Sequence, residues 1–107
     1  MPLKRIGLFR TTTALSANGL FTSDSKRCTD FKTIRGIVYS DKASASNGFK
    51  IQQSVDGTHW DITDYDSVAA ATVFTFEYTL YGEFVRLLYK NGDTAQTSFR
   101  MTAYMVS

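Results

Sequence analysis

An all-β fold, an antiparallel sandwich or barrel, is what this sequence predicts, and three observations predict it. Apolar residues recur with a period of two along several segments. Turn pairs containing glycine punctuate those segments. No stretch carries a helical period long enough to stand alone. Of the 107 residues, 14% are aromatic, and Phe and Tyr favour pleated, half-buried surfaces. A chain of this length closes one hydrophobic core without disulfides or a metal.

The elements follow in order. Ile6 to Phe9 is a short mixed run that reads as a strand, after a loose arm over residues 1–4. Thr11 to Asn18 is rich in small polar residues and reads as a loop. Ile34 to Tyr39 is a further strand, and Ser40 to Asn47 a further loop. Phe49, Ile51, Gln53 and Val55 share one face of the next strand, with Lys50, Gln52 and Ser54 on the other. Asp56-Gly57-Thr58-His59 then reads as a hairpin turn into a strand starting near Trp60. Ser67 to Ala71 is too short for a stable helix. Phe74, Phe76, Tyr78 and Leu80 alternate with polar residues, and Tyr81-Gly82 reads as a second hairpin turn, into Phe84. Val85, Leu87 and Tyr89 alternate with Arg86, Leu88 and Lys90. Asn91 to Thr97 is a loop, and Phe99, Met101, Ala103 and Met105 mark the closing strand. The count comes to about seven to eight strands. Arg35, Arg86 and Arg100 fall on outer sheet faces, where arginine stacks on aromatic rings.

Catalytic patterns are not found. There is no Gly-rich phosphate loop and no Gly-x-Ser-x-Gly elbow. The one histidine, His59, sits in a turn, and the one cysteine, Cys28, reads as a small buried hydrophobe. Asp56, Asp61, Asp64 and Asp66 cluster, but they lack the pattern of a calcium loop and read as turn residues and charges guarding an edge strand. The expectation is a non-enzyme with no cofactor and no metal.

Partners are bounded by charge. A net charge of +2 is too small to argue for nucleic acid. No apolar run is long enough to span a membrane, and the basic start lacks the apolar stretch of a signal peptide. A lone cysteine fits synthesis in a reducing cytosol. The charges are nevertheless segregated. Residues 1–35 hold seven basic side chains against two acidic ones, a balance of +5, while residues 56–83 hold six acidic ones and no Lys or Arg. One reading is two differently charged regions of one solvated surface. The sharper one is docking to copies of itself or to another protein. The candidate contact residues are Lys4, Arg5, Arg10, Lys26, Arg27 and Lys42 on the basic side. Asn47, Asp64, Asp66, Asn91 and Asp93 complete the set.

Four segments, in order, resemble discoidin-like (coagulation factor 5/8 type C) domains. They are Thr33-Ile34-Arg35-Gly36-Ile37-Val38, the hairpin Phe49 to Trp60 with its Ser-x-Asp-Gly-x-x-Trp, Glu83-Phe84-Val85-Arg86-Leu87, and Phe99 to Tyr104. The resemblance implies a galactose-binding-like jelly roll, with ligands such as glycans taken by loops at one end. This sequence lacks that family's terminal cysteine pair and is shorter, which pares down those loops. In the same motif Trp60 packs on its own hairpin. Phe84 to Met105, with the run Tyr89 to Arg100 that holds Asn91-Gly92-Asp93-Thr94-Ala95-Gln96-Thr97, also resembles the end of small β-sandwich proteins of tailed-phage virions. That resemblance implies a capsid decoration or a tail or neck accessory located in the virion. Its partners would be other virion proteins and copies of itself. A carbohydrate-binding module that takes a glycan is the alternative.

Overall fold

A computed structural model describes the backbone of residues 5–107 and the side chains from Phe9 onward. Lys4, the side chain of Arg5 and the arm expected over residues 1–4 lie outside what is described. Nine strands make up the described chain: β1 (Arg5–Thr11), β2 (Leu20–Thr22), β3 (Lys26–Arg27), β4 (Thr33–Ser40), β5 (Ser44–Ser54), β6 (Ile62–Asp66), β7 (Thr72–Thr79), β8 (Phe84–Asn91) and β9 (Phe99–Val106).

The strands form two antiparallel sheets. One has the order β1-β9-β4-β7; in the other β8 carries β2 and β3 on one side and β5, then β6, on the other. β2 and β3 are two pieces of one broken strand. Leu20 to Thr22 lie opposite Lys90 to Leu88, and Lys26 and Arg27 opposite Val85 and Phe84. Between them Ser23 keeps hold of β8, donating its N–H to the Leu87 carbonyl at 2.9 Å and accepting the Leu87 N–H on its hydroxyl at 2.8 Å. Counted as one, they leave eight strand positions in the orders first-eighth-third-sixth and second-seventh-fourth-fifth. That is the jelly-roll order, two Greek keys folded face to face.

The period-two pattern fills the gap between the sheets. Phe49, Ile51, Val85, Leu87 and Tyr89 from one sheet meet Ile34, Val38, Phe76, Met101, Ala103 and Met105 from the other. Cys28 joins them, as expected of a small hydrophobe. Burial, reinforced by Glu83, pushes its thiol up to about 11, so it is not an activated nucleophile. Gly36 sits mid-strand on the inner face of β4 because nothing larger fits. A Cβ there would lie 2.3 Å from the Thr102 carbonyl oxygen and 2.6 Å from the Phe76 ring.

Several expectations are corrected. Tyr81-Gly82 is not a hairpin turn, because β7 and β8 belong to different sheets. The chain crosses the sandwich there, and Gln53 makes the crossing. Its side chain is fully buried; its amide donates to the Thr79 carbonyl at 2.9 Å and accepts the N–H groups of Tyr81 and Gly82 at 2.6 and 3.0 Å. Val55 leaves the dry face and is 61% exposed, since β5 ends at Ser54 and the chain turns. The segment Ser40 to Asn47 is only partly loop. β5 begins at Ser44 and bulges between Ser44 and Phe49, with Asn47 at φ 52°. The short β2 and β3 were not foreseen, because two or three residues carry too little period to read.

Gln53→Leu would leave the part-buried N–H groups of Tyr81 and Gly82 without an acceptor. It is expected to cost about 2–6 kcal/mol, at about 1–3 kcal/mol for each unmet group. Urea unfolding of the variant beside the parent chain measures it, and an unchanged midpoint would show that the crossing does not depend on this amide.

Candidate functional site

The inner faces are spent on the core, so any working surface lies on the loops, the outer faces or the lateral edges. At one end of the sandwich, Ser54 to His59 forms a closed polar turn. The Ser54 hydroxyl donates to Asp56 Oδ1 at 2.9 Å and accepts the Gly57 N–H at 2.8 Å. Asp56 Oδ1 also accepts the N–H groups of Thr58 and His59, at 2.8 and 2.7 Å. Its other oxygen lies 2.7 Å from His59 Nδ1. Gly57 takes φ +81°, the left-handed conformation this turn needs. These bonds hold the Asp56 carboxyl well below the usual range, led by the His59 backbone N–H, and Asp56 in turn raises the His59 imidazole. Both groups serve the turn itself. Trp60 is half-buried, and the Arg86 guanidinium lies 4.1 Å from its ring centre, so its open face is already taken.

The opposite end is a second polar clasp. Asn91 was a candidate contact residue, and the structure corrects this: it is fully buried. Its amide donates to the carbonyls of Ser16 and Thr94, each at 2.9 Å, tying two loops to the end of β8. Gln96 is also buried and bridges the Leu15 N–H to the Ser40 hydroxyl. Asp41 caps the start of β9 by accepting the N–H groups of Thr97 and Ser98 at 3.0 and 3.1 Å. The Thr97 hydroxyl bond leads in holding the Asp41 carboxyl down at about 2. The Asn-x-x-Thr-x-Gln-Thr run is therefore a clasp between loops. Sequence reasoning missed Gln53, Gln96 and Asp41. For Gln53 a signal existed: it stands on the dry side of an otherwise apolar alternation.

Of the three arginines expected to stack, Arg86 and Arg100 do so and Arg35 makes an ion pair instead, while Arg27 stacks without having been foreseen. Arg100 covers Tyr39 at 4.5 Å, Arg27 covers Phe84 at 5.0 Å, and Arg35 pairs with Glu77 at 2.5 Å. Asn47, Lys50, Thr63 and Tyr65 line a shallow hollow of about 240 Å³ outside β5 and β6, with Tyr65 57% exposed. Lys42 is half-buried in the turn between β4 and β5, and Asp93 is exposed in the loop after β8.

The remaining candidates fall on the two lateral edges. β1 stands over β2 and β3, for Phe9 and Arg10 share a cleft of about 230 Å³ with Phe21, Thr22, Asp24 and Lys26. Arg10, Lys26 and Arg27 all lie along that edge. β7 stands over β6: burial first, then Asp66 and Asp64, raises the Tyr78 phenol on β7. Asp64, Asp66 and Glu77 lie along this second edge. Three basic and three acidic side chains thus fall on opposite edges, but the separation is partial: Asp24 lies in the β1–β3 cleft, the N–H of Cys28, beside Arg27, donates to the Glu83 carbonyl, and Arg35 of the basic stretch pairs with Glu77 of the acidic one.

Residues 3–106 match the family model described as the uncharacterised protein YqxG N-terminal domain. The chain belongs to that family. No curated protein matches it. A crystal structure described as PBSX exported protein XepA has the same fold, with a TM-score of 0.81 and 21% identity over 97% of this chain. The chain spans only 37% of XepA. A structure from work on disulfide-linked pili of Bacillus endospore appendages shares 15% identity, covering 97% of this chain and 86% of its own. Its TM-score of 0.47 is too low to carry an argument.

Proton linkage in the Ser54–His59 turn has a definite sign. His59 is raised, so its contribution is complete below its ordinary value of 6.5 and is lost as pH rises through its folded value. Asp56 is lowered, so its contribution holds above 3.8 and is lost only in stronger acid. Side-chain exposures of 72% and 47% mean solvent screens the pair, so the effect on stability is small. NMR titration is expected to place the His59 pKa above 6.5 and to lower it in Asp56→Asn.

Proposed function

We propose that this chain is a non-enzymatic structural protein of a tailed-phage virion, a capsid decoration or a tail or neck accessory that acts through protein–protein contacts. The observation that carries this reading is the fold match over 97% of the chain to part of XepA, a protein described as exported. A whole small jelly roll corresponding to a piece of a larger exported protein suits a module that docks beside others outside the cell where it is made. The phage-like run Tyr89 to Arg100 supports it as well. The run locks the loops at one end and leaves the sheet edges and outer faces for contact.

Mass spectrometry of purified particles from a producing strain tests the reading. The chain is expected in the particle fraction at many copies. Its presence only in the soluble lysate, with particles that lack it, would overturn the proposal.

One observation favours the carbohydrate alternative: Tyr65 is an exposed ring beside Asn47, Lys50 and Thr63. If that hollow takes a sugar, Tyr65→Ala will abolish a glycan-array signal that the parent chain gives. A blank array for the parent chain removes the alternative.

A further inference from the structure

On the sheet that β8 shares with β2, β5 and β6, register places Leu20 opposite Lys90 and Leu88 opposite Lys50, with Tyr65 beyond Lys50. All five side chains point away from the core, since Leu87, Tyr89, Phe49 and Ile51, which alternate with them on β8 and β5, are buried. Leu20 is 61% exposed and Leu88 half-buried. Two adjoining hollows lie among these groups. One, of about 380 Å³, is lined by Leu20, Leu88, Lys50 and Lys90. The other is the hollow of about 240 Å³ beside Tyr65, and Asn47 and Lys50 line both.

The charge here has one sign. No carboxylate lines either hollow. Lys50 and Lys90 are exposed, and neither is in an ion pair among the described residues. The nearby carboxylates are directed elsewhere. Asp64 and Asp66 take the alternate positions of β6, opposite Ile51 and Phe49, and act on Tyr78 of β7. Asp24 lies in the β1–β3 cleft, and Asp93, in the loop after β8, accepts the Thr94 hydroxyl at 3.3 Å. Glu83 and Asp61 precede β8 and β6, at the other end of the sheet.

Apolar and cationic groups side by side in a recess fit a polypeptide. Single-stranded nucleic acid stacks its bases on a series of rings, whereas Arg86 covers Trp60 and leaves Tyr65. A sugar chain also packs on rings, and the larger hollow offers leucines. A bilayer takes in apolar groups that project from a surface, whereas Leu88 is half-buried beside Lys50. Protein contacts combine an apolar centre with a polar rim, and that is the arrangement of Leu20 and Leu88 between Lys50 and Lys90.

We infer that this outer face docks an acidic segment of another protein, an apolar side chain of the partner entering the hollow at Leu20 and Leu88 while flanking carboxylates meet Lys50 and Lys90. The inference names the kind of partner for the structural-protein reading above and rests on it. Complementary charge speeds and orients the encounter, and the apolar group supplies what bare charge does not, a preference for one segment over other polyanions.

Fluorescence anisotropy tests it with a short labelled peptide of Asp and Glu around one central Leu. The parent chain is expected to bind this peptide saturably, and more weakly as salt rises. Replacing the central Leu of the peptide with Ser is expected to weaken binding about fivefold, as is Leu20→Ser in the chain. Lys50→Glu with Lys90→Glu is expected to cost about tenfold or more, because like charges then face each other. Arg10→Glu with Lys32→Glu makes the same change of charge at exposed positions outside both hollows and is expected to leave binding unchanged. The chain with Lys50→Glu and Lys90→Glu is expected to take a peptide of Lys around Leu instead, which separates a reversed face from a misfolded variant. No saturable binding, equal binding of the Ser peptide, or tighter binding of poly-dT, polygalacturonate or phosphatidylglycerol vesicles would overturn the inference. Any of these leaves the virion reading intact, whereas absence from particles removes that reading and leaves the peptide result unchanged.

Discussion

The structure depends on one dry slab between two sheets. Aromatic rings carry the contact across it. Phe49 on β5 lies 5.6 Å from Phe74 and 4.7 Å from Phe76, both on β7, and Tyr89 on β8 lies 4.8 Å from Phe99 on β9. Such ring pairs add about 0.5–1.5 kcal/mol each beyond their area. β8 and β9 are joined by a crossing of the chain from one sheet to the other, while β5 and β7 face each other with β6 between them in sequence. Once the inner faces are committed, surface chemistry is left to turns, outer faces and edges.

Crossing from sheet to sheet takes backbone out of the ladders, and unpaired backbone in a dry interior is costly. The sequence meets this with a few buried amides. Gln53 satisfies the β7–β8 crossing, Asn91 gathers two loops, and Gln96 ties the same two loops to Ser40. Asp41 does similar work from an exposed position. These residues resemble functional polar groups in a bare sequence, yet their hydrogen bonds are spent on the fold.

Much of the architecture was legible, for physical reasons. Pleating gives a side-chain period of two, so the strands around Ile51, Phe76, Leu87 and Met101 declared their inner faces directly. Long-range partnering was not legible. Tyr81-Gly82 has the local signature of a hairpin, but its N–H groups are met at a crossing by Gln53, 28 residues away from Tyr81. Asn91 shows the same limit: Asn-Gly reads as an exposed turn until the carbonyls of Ser16 and Thr94 are placed around its amide. The charged edges were half legible. The sequence separates its basic and acidic stretches, but the jelly-roll order keeps them only partly apart, for Arg35 of the first pairs with Glu77 of the second.

The central claim is that the inner faces and the buried amides are spent on the fold, so that the proposed contacts with other proteins fall to the sheet edges and outer faces. Hydrogen–deuterium exchange of the chain, free and bound to purified particles, tests this most directly. The account predicts new protection along strands at an edge or an outer face, with the closed turn near Thr58 unchanged. Protection confined to that turn, with every strand exchanging as freely as before, would contradict it.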